Sequence, residues 1–249
     1  MTIKRKIKRT FYTILFFAGL VAFFVMYQWF ADPRRQAYGI KMPEGFAVHG
    51  IDVSRWQGEI NWAELEKIRS GKDSIAISFA FIKATEGVSL IDPKFETNWK
   101  AAAKTQIIRG AYHFFVPSRK AKEQADNFIK TVKLSKGDLP PALDVETLGR
   151  KGAEELRNNV KIWLRTVEKH YGIKPIIYTY IDFYEKYLKD EDLEKYPLWI
   201  AHYYEKSLEV DEKWLFWQHS DEGIIPTLRE KVDFNVFSGS MKQLKGLCK

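Results

Sequence analysis

The stretch PPALDVETLG, residues 140–149, ends an apolar run with two carboxylates one residue apart, Asp144 and Glu146. On a strand, side chains alternate between faces, so both acids point the same way, with Cα atoms roughly 6.6 Å apart. Like charges that close raise the cost of ionising each other. Two further acids sit in comparable settings, Asp52 in HGIDVS and Asp233 in KVDFNVF. Three chemistries fit four converging carboxylates. Solvated acids capping helices are common singly, but Asp52 and Asp144 lie in apolar surroundings. Oxygen ligands suit magnesium or calcium, yet no further ligands occur at a recognisable spacing. Glycoside hydrolysis needs one protonated acid beside one charged carboxylate, and there mutual repulsion is useful.

Other chemistries find less support. His49, His113, His170, His202 and His219 are scattered without HExxH spacing, and a lone strand histidine is more often a satisfied core group than a ligand. Ser54 lacks the G-x-S-x-G context of a serine nucleophile. ATEG lacks the lysine and glycine spacing of a phosphate loop. Cys248 is the single cysteine, so no intrachain disulfide is possible and the fold must rest on its core. No N-x-[ST] acceptor site occurs.

The elements that must hold these acids read as strands alternating with helices from about residue 47. The strands are AVHGIDVS, SIAISFAFIKAT, IRGAYHFF, PPALDVE, KPIIYTY, PLWIAHY, LFWQHS and KVDFNVF. The helices are NWAELEKIRS with Asn61 and Glu64 as a capping box, Phe95 to Lys104, a segment opened by Ser118, AEELRNNVKIWLRTVEKHY, and a shorter one near Phe183 to Leu188. The fourth of these carries apolar Leu156, Val160, Trp163, Leu164 and Val167 at helical spacing. Strand–helix alternation implies a parallel sheet. Eight strands with helices thinning toward the end predict an α/β fold, an irregular, TIM-like β/α barrel. In such barrels the C-terminal strand ends carry the chemistry, and the acids fall there. Aromatics such as Trp56, Tyr112, Tyr178, Trp199, Tyr203 and Trp217 suit a sugar-stacking cleft.

The net charge of +8 is concentrated in the N-terminal tail. Residues 1–41 carry eight cations against Asp32, which is +7, and leave the remaining body at +1. A nearly neutral body without a basic run is a poor phosphate binder, so no nucleic-acid partner is expected. Thr10 to Ala31 is 22 residues without a charge, long enough to cross a bilayer as a helix. It is longer than a signal-peptide core and ends in YQWFADP, a weak cleavage site. Five cations before the span put the N-terminus in the cytoplasm, and Tyr27 and Trp29 suit the interface. The expected organisation is a cytoplasmic basic segment (1–9), a single-pass anchor helix (10–31), a linker (32–45), an extracytoplasmic domain (46–240) and a tail (241–249).

Nine segments occur in order over residues 46–238: HGIDVSRWQGEINW, FAFIKATEG, IDPKFETNW, RGAYHFF, PPALDVE, IIYTY, PLWIAHY, WQHS and VDFNVF. Together they resemble the family 25 glycoside hydrolases, the Chalaropsis-type lysozymes. The resemblance implies a modified α/β barrel with a mouth groove. It implies cleavage of the β-1,4 bond between N-acetylmuramic acid and N-acetylglucosamine in peptidoglycan, with retention, no cofactor and no metal. Glu146 then matches the general acid, Asp144 its partner, and Asp52 and Asp233 the outer acids that shape the electrostatics. Tyr112, Tyr178, Trp199, Tyr203 and Gln218 are the expected substrate contacts. The residues leave open whether Asp144 attacks the sugar or orients the substrate's N-acetyl group. One departure is visible: Gln106 stands where the family usually has a turn glycine. The other D-x-E barrel family, chitinase-like, carries aspartates where this chain has Ala142 and Pro140, which argues against it. A monomer is expected, and a membrane-tethered glycan-binding protein without turnover is the alternative function.

Overall fold

The structure, a computed structural model, describes residues 3–31, 38–71, 74–150, 152–205, 207–208 and 213–249. Eight strands close into a barrel: β1 (Val48–Val53), β3 (Ile75–Glu86), β5 (Ile108–Phe114), β6 (Ala142–Asp144), β7 (Ile176–Tyr180), β8 (Leu198–Ala201), β9 (Trp214–Gly223) and β10 (Val232–Phe237). Closure comes from β1, which pairs with β3 on one side and β10 on the other. Two short strands, β2 (Arg69–Ser70) and β4 (Leu90–Ile91), only extend the ends of β3. All eight expected strands are present. The sheet is not wholly parallel, however, because β10 runs antiparallel to both β9 and β1. The reason is the β9–β10 connection, residues 224–231, which contains no helix to carry the chain back across the sheet.

The interior has a polarity gradient set by the two-residue strand period. Stepping along a strand toward the mouth runs Val48, Gly50, Asp52; Phe79, Phe81, Lys83; Ala142, Asp144; and Ile176, Tyr178. The apolar members form the barrel's inner core with Trp199, Phe216 and Phe237, while the polar members line the opening. The core is tight enough to dictate glycine. A Cβ on Gly50 would lie 2.5 Å from the Phe79 ring, and one on Gly110 would lie 2.6 Å from Phe81.

Helices α2 (Trp62–Leu65), α3 (Phe95–Ala102), α4 (Ala121–Thr131), α5 (Ala153–Tyr171) and α6 (Ile181–Phe183, continued by a π turn to Leu188) connect the strands outside the barrel. Asn61 does cap α2, accepting from the Glu64 amide at 3.3 Å. The apolar stripe of α5 is buried as its spacing predicts. Ser118 does not open α4; residues 117–119 form a turn and the helix begins at Ala121. Gln106 needs no glycine-like backbone, since among the described residues only Ser74 and Tyr204 have positive φ without being glycine. Its amide instead donates to Glu66 Oε1 at 2.7 Å.

The ends of the chain depart from expectation. A helix α1 spans Ile3–Ala31, with side chains described from Phe11 to Tyr27 and exposed. Among the described residues no helix is long and apolar enough to cross a membrane. Trp29 and the side chains of the basic segment lie outside the described ones, as do linker residues 32–37. The rest of the expected linker is docked: Tyr38, Ile40 and Met42 are buried against the barrel, and Tyr38 donates to the Ile75 carbonyl at 3.1 Å. At the other end the expected tail forms α7 (Met241–Leu247), whose Leu244 joins the core at the barrel floor.

Candidate active site

A mouth of about 370 Å³ opens at the C-terminal ends of the parallel strands and, because β10 is reversed, at the N-terminal end of β10. Asp52, Asp144, Glu146, Asp233, Tyr112, Tyr178, Trp199, Tyr203 and Gln218 all line it. Residues expected from seven different strands are therefore brought to one place. Trp56, Tyr180, Phe114, Ser54, Asp221 and Lys83 complete the wall. Trp217 does not face the mouth; it is buried and donates its indole N–H to the His202 carbonyl. His113 is a core group, as expected: its ring contacts Thr85 Oγ1 at 2.7 Å and Gln124 Oε1 at 3.2 Å and stacks on Trp163.

The central pair is placed by the end of β6. Asp144 is its last residue, 7% exposed, and Glu146 lies just past the strand, half-buried. Burial is the largest cause holding both carboxyls above the usual carboxylate range. The charge of Glu146 pushes Asp144 further up, whereas the Tyr180 and Tyr178 phenols pull Glu146 back. Repulsion between the two is thus real but secondary to dehydration. Protons bound here belong to the pair rather than to either residue. Asp144 Oδ1 is buried without a hydrogen-bond partner.

The outer acids face one another across the antiparallel β1–β10 ladder, Asp52 opposite Asp233. Their carboxyls bias one another in opposite senses, the contact raising Asp52 and lowering Asp233. Burial first, then the charge of Asp233, hold Asp52 well above its usual range. Asp233 is pushed up to about 6 by burial and by Asp221. A relay of amides fixes Asp52. Its Oδ2 accepts from Gln218 Nε2 at 2.8 Å and Asn235 Nδ2 at 2.7 Å. Gln218 Oε1 in turn accepts from the Tyr178 and Tyr203 phenols, each at 2.7 Å, and Asn235 Oδ1 accepts from Trp199 Nε1 at 2.7 Å. The Trp199 indole can only donate, so Asn235 must turn its N–H toward Asp52, and Gln218 takes the same sense with its oxygen toward the two phenols. Gln218, 2% exposed, has its visible partners within the protein and braces Asp52.

The rim is stapled by the IDPKFETNW segment. Asp92 Oδ2 accepts from the Arg55 amide at 2.9 Å. Asn98 accepts from the Ile60 amide and the Trp62 indole and donates to the Gly58 carbonyl. These bonds hold the loop that presents Trp56, 71% exposed, at the mouth. Lys83, Asn235, Tyr180 and Asp221 escaped the sequence reading. The signal was present for two of them: Lys83 continues the inward period of Phe79 and Phe81, and Asn235 follows Asp233 by two. Among the described residues no cluster of three or more His, Cys, Asp or Glu is arranged to hold a metal ion.

An arrangement of one half-buried carboxyl held above its usual range beside a buried one, walled by aromatics, suits acid-assisted cleavage of a glycosidic bond. Comparison with known proteins agrees. The model of glycosyl hydrolases family 25 matches residues 51–228. Lysozyme M1 of Streptomyces globisporus is 33% identical over 232 residues, covering 87% of this chain and 76% of that protein. Protein YegX of Escherichia coli is 46% identical over 212 residues, 85% of this chain and 77% of its own length. The solved family 25 glycosyl hydrolase of Bacillus anthracis superposes with a TM-score of 0.74 at 35% identity, covering 84% of this chain and 97% of that one. The chain belongs to glycosyl hydrolase family 25 and is a glycoside hydrolase.

Proposed function

We propose that the protein is a membrane-anchored lysozyme that hydrolyses the β-1,4 bond between N-acetylmuramic acid and N-acetylglucosamine in peptidoglycan. The observation that carries the reading is the Asp144–Glu146 pair at the mouth. Burial raises Glu146 above the usual carboxylate range, which favours the protonated form that gives its proton to the leaving sugar oxygen. Asp144, once ionised, supplies the negative charge that an oxocarbenium-like centre needs. The Asp52–Asp233 pair adds anionic field from the opposite wall. Trp56 and the mouth tyrosines offer faces for sugar rings. One chain supplies every one of these groups, which supports action as a monomer.

The anchor rests on the uncharged run Thr10–Ala31, helical throughout and exposing apolar side chains from Phe11 to Tyr27. The cations before it favour a cytoplasmic N-terminus and an extracytoplasmic barrel.

The test is digestion of purified peptidoglycan by the full chain in detergent, with mass analysis of the products. New reducing ends at N-acetylmuramic acid, absent with Glu146→Gln, are expected. Reducing ends at N-acetylglucosamine would overturn the bond assignment, and binding without any new ends would make the protein a glycan-binding one.

A further inference from the structure

We propose that Lys83 is the counter-ion of Asp144, a positioning residue held in reserve by Glu86 and Phe114 for the moment at which Asp144 loses its proton. The inference deepens the glycosidase reading and rests on it for its kinetic consequence.

The geometry starts from strand register. Glu86 of β3 pairs with Phe114 of β5, which pairs with Asp144 of β6, so these three residues form one row across the sheet. Lys83 enters that row from below, from the position beside Tyr112. Its Nζ lies 4.8 Å over the centre of the Phe114 ring and 2.7 Å from Glu86 Oε2. The ammonium is thus parked on the ring of the residue whose backbone pairs with both acids, and is bonded to Glu86. The other acid, Asp144, keeps a buried Oδ1 with no partner. A buried oxygen without a donor is costly if charged and tolerable if the group is protonated. Among the described residues, Lys83 is the one cation lining a mouth that also holds Asp52, Asp144, Glu146, Asp221 and Asp233.

Asp144 feels charge from every side. Glu146 follows it on its own segment, Asp52 faces it from β1, Lys83 and Glu86 from β3, Tyr112 from β5, and Tyr178 and Tyr180 from β7. Of these only Lys83 favours its anion; Glu146, Asp52 and Glu86 oppose it. The resting structure therefore favours the protonated form of Asp144, with the ammonium on Glu86. A small swing of the lysine across the Phe114 ring, away from Glu86, would supply the anion's missing partner as the reaction draws on its charge.

The two neighbours of the ammonium make opposite predictions. Lys83→Met removes the favourable charge, so ionisation of Asp144 becomes harder and the acidic limb of the pH–rate profile moves up, by about one pH unit. Glu86→Gln removes an opposing charge and frees the lysine, so the same limb moves down. Lys83→Arg should keep the limb close to wild type. The experiment compares these profiles on soluble peptidoglycan fragments, using the full chain in detergent. In parallel, carboxyl NMR titration of Asp144 in the resting proteins reads the same shifts without turnover. Opposite displacements of both readouts are the expected result. A lysine that merely packs against Phe114 would lower stability and move neither. Limbs and titrations that stay put, or move the same way in both variants, would overturn the assignment. If wild type cuts no glycan, the proposed function fails, and the NMR titration still decides the counter-ion.

Discussion

Replacing Gln218 by leucine tests the amide relay with two independent readouts. The substitution conserves bulk but deletes three hydrogen bonds of 2.7–2.8 Å, two accepted from Tyr178 and Tyr203 and one donated to Asp52. Tyr203 is half-exposed and can turn to water. Tyr178 is buried and cannot, so its hydroxyl loses the Gln218 acceptor and is left with Glu146, and Asp52 keeps only Asn235. The two lost buried bonds cost about 2–4 kcal/mol together, at roughly 1.5–3 kcal/mol for the one to a carboxylate and roughly 0.5–1.5 kcal/mol for the neutral one. For a domain of this size that lowers the melting temperature by roughly 5–15 °C. The second readout is the pH–rate profile. Donors to a carboxylate favour its charged form, so losing one raises the pH at which the Asp52–Asp233 pair ionises. Activity that depends on that anion then needs higher pH, and the acidic limb moves up. Tyr178→Phe serves as the comparison, because Gln218 still has Tyr203 and the cost falls to about 1 kcal/mol. Melting within a degree or so of wild type, with an unmoved limb, would refute the relay.

Glu146→Gln should reduce turnover by about 10²–10⁴-fold while leaving the melting curve in place, since an amide cannot donate the proton; near wild-type rates would remove Glu146 from that role. Asp144→Asn should also abolish most activity, yet gain stability relative to wild type as pH rises. The sign follows from its raised folded-state value: the folded protein prefers the protonated carboxyl, so its contribution is present below the ordinary range, about 4, and is lost at higher pH. Melting curves from pH 4 to 8 check this, and an asparagine variant that lost ground with rising pH would contradict it. A chain beginning at Tyr38 should melt like the full barrel, whereas one beginning at Pro43 should lose about 4.5–9 kcal/mol, from roughly 1.5–3 kcal/mol for each of three buried side chains. Equal denaturation midpoints for the two would show that the docked segment adds nothing.

The barrel and its acids were legible because one rule governs both. Side chains alternate along a strand, so an apolar run ending in an acid, as in PPALD or HGID, encodes a core position followed two residues later by a mouth position. Lys83 obeyed the same rule but stood within a long apolar strand, where its charge gave no hint of a partner. The direction of β10 was hidden because short strands read alike in either sense, and only the helix-free connection after Gly223 betrays the reversal. Ser118 resembled a helix cap, but the turn at residues 117–119 took precedence. Tyr38, Ile40 and Met42 looked like linker because proline and glycine flank them, yet their alternation is that of a segment with one face on a core. Gln218, expected as a substrate contact, does line the mouth. Its further role as a brace depends on partners distant in the chain, Asp52 among them, which no local pattern reveals.

The docking of Tyr38 to Met42 also fixes how far the active site can range. If α1 holds the bilayer, the leash between anchor and barrel is residues 32–37, six residues that span at most about 20 Å. That is about half the roughly 40 Å diameter of a domain this size. A catalyst on so short a leash patrols a thin shell above the lipid. It meets only glycan that the wall's own growth or turnover brings down to it, and strands farther out are cut by other means or not at all. Its output would scale with the area of membrane it occupies rather than with the volume of wall above it.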